Sequence, residues 1–408
     1  MTSKKTKTLF FTSLAALALL TGCASSTQSS TAQTTTTGTV TTTSNTTNTS
    51  TTYFTDADYN TSYDESTASK VSLSGSSATV SGDGVEVSGS VVTVSKAGTY
   101  VISGESKGVQ IQVTAADSDE VHLVLNGVTM TGDNAAISAT SAKHVTITLA
   151  DGTTNSLSDS SNNRDSDADA ALFSKVDLTL NGKGTLNVTG KKSNGIKAND
   201  TLHITGGTYN ITVVDDAFNV NDELNIAGTT MTIEAGGDAV KVDNDEDLTV
   251  GNMYLADNTI TLTAGDDGIH ASGNLVIDSG TYTVTNSAEG VEGKSITING
   301  GSIDVYATDD GVNAANANAS QGDIFFAMTG GNLKVEVGQG DTDAIDANGN
   351  VSVTGGTIEI VGQAGFDYDG TATFTGGTII IDGQEQSQIT NSMMGGAPQG
   401  GPGQGRRP

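Results

Sequence analysis

The sequence predicts an all-β protein, a right-handed parallel β-helix of about twelve coils with a repeat near 22 residues. Three observations predict it. First, a short signature of an acidic or polar residue, then Gly or Ala, then an apolar residue returns at Gly195-Ile196, Ala217-Phe218, Ala239-Val240, Gly268-Ile269, Gly290-Val291, Gly311-Val312, Ala344-Ile345 and Gly365-Phe366, at spacings of 22, 22, 29, 22, 21, 33 and 21. A weaker continuation runs upstream through Ala171-Leu172, Ala136-Ile137, Gly108-Val109 and Gly84-Val85. Second, apolar and polar residues alternate within a unit, as in Leu202-His203-Ile204 and again at Tyr209, Ile211 and Val213, with Gly-Gly corners at 206, 300, 330, 355 and 376; that is three short strands separated by turns. Third, all three prolines lie at 398, 402 and 408, so residues 53–390 have none, as suits a body of ladders in which every N–H must donate. Strands returning in parallel without a crossover helix imply stacked coils, and the hand follows from the right-handedness of parallel crossovers.

The elements follow in chain order. Lys4, Lys5 and Lys7 precede an apolar run from Leu9 to Leu20, too short to span a bilayer and typical of a secretion signal. It ends in Leu20-Thr21-Gly22-Cys23, which resembles the bacterial lipobox, where cleavage before the cysteine exposes it to lipidation. Residues 1–22 are therefore expected to be a lipoprotein signal peptide and Cys23, the chain's one cysteine, its lipid attachment point. The expected location is extracytoplasmic, membrane-anchored and at the cell surface. Residues 23–52 are almost entirely Ser, Thr, Asn, Gln, Ala and Gly and read as a flexible tether. The β-helix is assigned to 53–390, and 391–408 to a disordered Gly/Pro-rich tail.

Eighteen basic residues against 47 acidic ones give a formal charge of −29. Such a surface repels nucleic acid and favours cations. One cysteine excludes an internal disulfide and every multi-cysteine metal site. The alternation points Lys197, Asn219, Lys241, His270, Glu292, Asn313, Asp346 and Asp367 outward as one stacked column. A second, acidic column stands just before the signature: Asp215-Asp216, Asp238, Asp266-Asp267, Glu289, Asp309-Asp310 and Asp343. Carboxylates about 5 Å apart repel by about 1 kcal/mol in water and by more near a protein surface, so the second column is expected to be strained without a cation. Calcium suits hard oxygen ligands at flexible geometry, whereas zinc wants the His and Cys that are missing. The insertion of the 29-residue unit, Lys241-Val242-Asp243-Asn244-Asp245-Glu246-Asp247, is the richest local candidate, and the Asp165, Asp167, Asp169 run is a weaker copy.

Several stretches together carry a family resemblance: KAGTYVISG at 96–104, VHLVLNGVTM at 121–130, HVTITLADGTTNSLSD at 144–159, AALFSKVDLTLNGKGTLNVTG at 170–190, NGIKANDTLHITGGT at 194–208, DAVKVDNDED at 238–247 and GDDGIHASGNLVIDSGTYTV at 265–284. From about Val71 to Asp382 the chain resembles the bacterial carbohydrate-binding β-helix family typified by a clostridial cellulose- and pectin-binding protein, related in fold to family 9 pectate lyases. The resemblance implies a right-handed β-helix, bound calcium and a polysaccharide partner. It maps calcium to Asp215, Asp216, Asp238, Asp243, Asp245, Asp266 and Asp267. It also makes Lys197, Asn219, Lys241, His270, Glu292 and Asn313 the candidate carbohydrate-binding column. Ala217-Phe218-Asn219 and Ala239-Val240 depart from the commoner Gly-Ile-Lys pattern.

Three function classes follow: a non-catalytic polysaccharide binder, a calcium-dependent uronate lyase, and a structural adhesin with no sugar site. A lyase needs a basic residue beside the cation, and Lys197 and Lys241 are its candidates, although flanking carboxylates raise a lysine's pKa. The chain has no Trp, and Tyr209 and Tyr282 fall at inward parity, so no flat aromatic platform is expected from them.

Overall fold

The computed structural model describes residues 53–244, 246–339, 342–362 and 364–392. The signal peptide, Cys23, the tether, Asp245 and all of the tail beyond residue 392 lie outside the described residues. Among the described residues, thirty-six strands and one short 3₁₀ turn at Gln321–Asp323 make an all-β body, and most strands pair in parallel with the strand about one repeat ahead. This is a β-helix-like stack.

Three ladders run along it. The signature ladder carries Ile137–Ser141, Ala170–Ser174, Asn194–Ala198, Phe218–Val220, Val240–Val242, the start of Ile269–Ile277 and of Val291–Ile298, then Val312–Ala314, Asp343–Ala347 and Ala364–Tyr368. The middle ladder includes Leu178–Gly182, Thr201–Thr205, Glu223–Ala227 and Asn252–Ala256. The third includes Thr185–Gly190, Thr208–Val213, Thr230–Glu234 and Asn258–Thr263.

The register is what makes a core from short strands. Ile196, Phe218, Val240, Ile269, Val291, Val312, Ile345 and Phe366 stand in line, each 1% exposed or less. Because the side-chain period is two, fixing this apolar file inside fixes the intervening file outside. Tyr209 and Tyr282 are fully buried, as their parity requires.

Both ends depart from the coil pattern. Ser69–Gly75 pairs antiparallel with Ser77–Ser81, Val85–Ser88 with Val91–Val94, and Thr378–Ile381 with Gln384–Gln386. The Gly84-Val85 signature therefore opens a hairpin strand and not a coil, correcting the upstream end of the repeat. Hairpins at the stack's ends occupy edges that would otherwise offer unpaired N–H and C=O groups to another chain.

A second departure is residues 53–68, which form no coil. They cross the outer face of the middle ladder as a strap. Asp58, 4% exposed, accepts from Thr179 Oγ1 at 2.7 Å and meets His203 Nδ1 at 3.0 Å; its carbonyl accepts from Asn181 Nδ2 at 3.1 Å. Farther along, Asn225 Nδ2 donates to the Tyr53 carbonyl at 2.8 Å, and the Tyr53 and Tyr254 rings stack at 3.7 Å.

Candidate functional site

The outward column of the signature ladder is in continuous register: Lys197, Asn219, Lys241, His270, Glu292, Asn313, Asp346 and Asp367 face their neighbours one by one. All are half-buried. Where the residue three positions earlier in the coil is acidic, it folds back across the signature bend onto this column, meeting the member of its own coil or of the next. Asn219 Nδ2 donates to Asp216 at 2.6 Å, Lys241 Nζ pairs with Asp238 at 2.8 Å, His270 Nδ1 with Asp267 at 3.0 Å, and Asn313 Nδ2 with Glu289 at 2.9 Å.

Three carboxylates of the acidic column have a second task. Asp216 Oδ1 accepts the Asp238 N–H at 2.9 Å, Asp238 Oδ1 the Asp267 N–H at 2.8 Å, and Asp310 Oδ1 the Asp343 N–H at 2.8 Å. These carboxylates stitch one coil to the next. They are 6% exposed for Asp216, 2% for Asp238 and 8% for Asp267, so their charge demands a partner. Backbone amides, Asn219, Lys241 and His270 offset part of the expected strain from Asp216 to Asp267, while burial and neighbouring carboxylates still raise the pKa of Asp216 and Asp267.

At the next coil the residue three positions after Glu289 is another acid, Glu292, so that coil brings no cation of its own and shares His270 of the coil before. His270 lies 2.6 Å from Glu292 as well as 3.0 Å from Asp267. Burial alone would lower the His270 pKa, but Asp267 and Glu292 push it up to about 10, which keeps it an imidazolium. Glu289 is pushed up to about 8 by burial and by the charge of Glu292. Farther along, Asp346 is pushed up to about 7 by burial and by Asp310, Asp367 and Asp343. Ligand atoms of Asp267, Glu289 and Glu292 lie within 4.8 Å of one another, as do those of Asp238, Asp267 and His270. The first group is all oxygen and fits a hard divalent cation; the second contains a protonated imidazole with no lone pair to give.

The sequence-derived calcium residues thus separate. Asp238 and Asp267 join these groups, with Glu289 and Glu292 in place of others. Asp216 is spent on Asn219 and a backbone amide, Asp215 is exposed and accepts from Ser193 Oγ at 2.8 Å, and Asp266 is exposed. Asp243 lies elsewhere, in the wall of a hollow of about 190 Å³ that also takes in Leu248, His270, Ser272, Glu292 and Asn316. Two insertions build that hollow. In the first, Asn244 is tied to Ser272 Oγ at 2.9 Å and to Asp222 at 3.1 Å, and Asp247 is used by Thr249 within its own turn. In the second, Asn316 Nδ2 donates to the Ser272 carbonyl at 2.9 Å. The Asp165 run makes turns of the same kind, with Asp165 Oδ1 accepting from the Asp167 and Ala168 amides. Glu289 and Glu292 could have been paired from sequence, since the acid and column residue stand three apart in the two preceding coils as well, Asp238 with Lys241 and Asp267 with His270.

Both lysines are engaged. Lys197 lies 2.8 Å from Asp169. Burial alone would lower the Lys241 pKa, but Asp238 foremost, with Asp216 and Asp243, raises it above the ordinary lysine value.

A family model described as carbohydrate-binding domain-containing protein matches residues 88–342 and 268–395. A solved structure of a polysaccharide lyase-like protein from C. thermocellum, a gadolinium derivative, is 24% identical over 76% of this chain and 99% of that one, with a TM-score of 0.46. No curated protein matches the chain.

Proposed function

Because the chain belongs to the carbohydrate-binding domain-containing protein family, we propose that it is a calcium-binding polysaccharide binder that holds glycan without cleaving it. The observation that carries the calcium reading is the Asp267, Glu289 and Glu292 group, three carboxylates with ligand atoms within 4.8 Å at the coil where the column runs out of cations. Asp267, Glu289 and Glu292 would hold the ion. Bound there, calcium supplies a positive charge that an acidic sugar can ligate. The hollow walled by Asp243, Leu248 and Asn316 lies beside Glu292 and has room for a sugar ring.

The absence of cleavage follows from the lysines. A base for β-elimination must be neutral, and Lys241, with Asp238 at 2.8 Å, is stabilised as an ammonium. We take the scaffold as a right-handed parallel β-helix of about twelve coils, supported by parallel pairing along all three ladders. The location we propose is the extracytoplasmic surface, held by lipid on Cys23 through the tether. Among the described residues no helix is long and apolar enough to cross a membrane.

The experiment is a glycan array probed with the purified chain in millimolar calcium and in excess chelator. Binding to uronate-containing polysaccharide that chelator removes supports the reading. Equal binding in both conditions would contradict the calcium role, and no binding to any glycan would contradict the function.

A further inference from the structure

Away from the acidic columns, the coils pass from the middle to the third ladder at a corner that aligns Gly182, Gly206, Gly228 and Asp257. All four have positive φ: 107°, 79°, 66° and 55°. Glycine is the ordinary residue for such a turn, and a side chain there is uncommon. Asp257 and Asp382 are the two non-glycine residues with positive φ among the described residues, and Asp382 sits in the terminal hairpin turn. The fourth coil therefore places a carboxylate where its three predecessors have bare backbone. That carboxylate accepts from Ser279 Oγ at 2.7 Å through Oδ1.

The bare corners leave a trough of about 500 Å³ between the coil edge and the strap, lined by Tyr59, Thr61, Lys183, Thr208 and Asp257 over a floor of glycines. Tyr59 is 56% exposed. Phe54 backs its ring at 5.6 Å between centroids, and the strap beneath it is pinned by Asp58. Under the floor, Tyr209 Oη is buried without a hydrogen-bond partner among the described residues, and a Cβ on Gly207 would stand 3.1 Å from it. A half-exposed aromatic wall, a flat floor, an ammonium donor, a carboxylate acceptor and threonine hydroxyls are what a pyranose needs: a ring face to stack and hydroxyls to pair.

We propose that this trough is a saccharide subsite, taking one pyranose of a bound polysaccharide with its ring face on Tyr59 and its hydroxyls between Lys183, Thr208 and Asp257. The proposal rests on the polysaccharide-binding reading but not on calcium, since the trough holds a single carboxylate against one lysine. It gives the protein a contact on the strap side of the stack, at the corner between the middle and third ladders and not on the signature ladder that carries the outward column.

The test uses the full chain with oligogalacturonides and cello-oligosaccharides as probes. Tyr59→Ala should weaken affinity about tenfold, equivalent to one well-stacked ring, while Tyr59→Phe stays within about twofold of wild type. Asp257→Gly restores the residue that the backbone prefers, so it folds, and it should weaken binding by about fivefold through the lost acceptor. Because the chain has no Trp, Tyr59→Trp supplies a single indole whose emission should shift when saccharide is added. Wild-type affinity in Tyr59→Ala together with an unmoved Tyr59→Trp emission would overturn the subsite and leave the family function standing. A wild-type chain that binds neither probe nor any glycan on the array would overturn both.

Discussion

Asp58→Asn should loosen the strap from the stack without unfolding it. Asp58 is 4% exposed and accepts from Thr55 N at 2.8 Å, Thr55 Oγ1 at 2.9 Å and Thr179 Oγ1 at 2.7 Å, with His203 Nδ1 at 3.0 Å. Burial alone would raise its pKa, but hydrogen bonds from His203, Thr55 and Thr179 hold the carboxyl well below the usual range. The same geometry acts in reverse on His203: burial would lower its pKa, and Asp58 with Glu223 pushes it up from 6.5 to about 9. At about 1.4 kcal/mol per pH unit, that rise corresponds to roughly 3 kcal/mol of coupling, in line with the cost of removing one partner of a buried pair. The strap amides between 53 and 65 should exchange about a hundredfold faster in Asp58→Asn at neutral pH. The pH dependence has two limbs. The His203 pKa is raised on folding, so its contribution is full below about 6.5 and fades as pH climbs through about 9; the Asp58 pKa is depressed, so its contribution holds above about 4 and is lost as acid titrates the folded carboxyl. Hydrogen exchange from pH 4 to pH 10, corrected for intrinsic rates, reads the His203 limb; the Asp58 limb lies below pH 4 and is read by an acid series. Strap protection in Asp58→Asn equal to wild type, or protection in wild type that is flat between pH 6 and pH 10, would refute this reasoning.

Lys241→Met leaves Asp238, 2% exposed, without its lysine and should destabilise the stack by about 3 kcal/mol in chemical denaturation; an unchanged midpoint would show that the Asp267 backbone donor suffices. In chelator, the raised pKa of Glu289 means that its contribution is full below about 4.5 and lost as pH rises toward about 8, so the melting midpoint should fall across that window. Glu289→Gln should flatten the fall, and calcium should raise the wild-type midpoint most near pH 8; a calcium-insensitive melt would remove the ion from the account. Cys23→Ser should release the protein from membranes, measured by fractionation, because one lost lipid attachment leaves an uncharged tether with little affinity for a bilayer. Membrane retention equal to wild type would contradict the anchor.

Much of the stack was legible because a 22-residue period repeats the same alternation. One correct assignment of Ile196 inward fixes Lys197 outward, and the register copies both to Asp367. The strap was not legible. Its anchor joins Asp58 to His203 across 145 positions, and no repeat or turn signal within 53–68 announces it. The acidic column was legible as a file of residues and only partly in its chemistry, because the repulsion argument counted carboxylates and not the amides that Asp216 and Asp238 accept from the next coil. Glu289 and Glu292 were split between two columns by strand parity, although the bend at Gly290 returns one onto the other. Gly84-Val85 misled for a simpler reason: a Gly-apolar pair starts a hairpin strand as readily as a coil.

The most direct test of binding without cleavage is to incubate the full chain with polygalacturonate in calcium at neutral and alkaline pH, following retention on the polymer and ultraviolet absorbance together. β-Elimination leaves an unsaturated, absorbing sugar, and it requires a neutral base; Asp238 at 2.8 Å holds Lys241 as an ammonium, and Lys197 is engaged by Asp169 at 2.8 Å. The account predicts calcium-dependent retention with flat absorbance. Absorbance that grows steadily and stops in Lys241→Ala or Lys197→Ala, while retention persists, would contradict it.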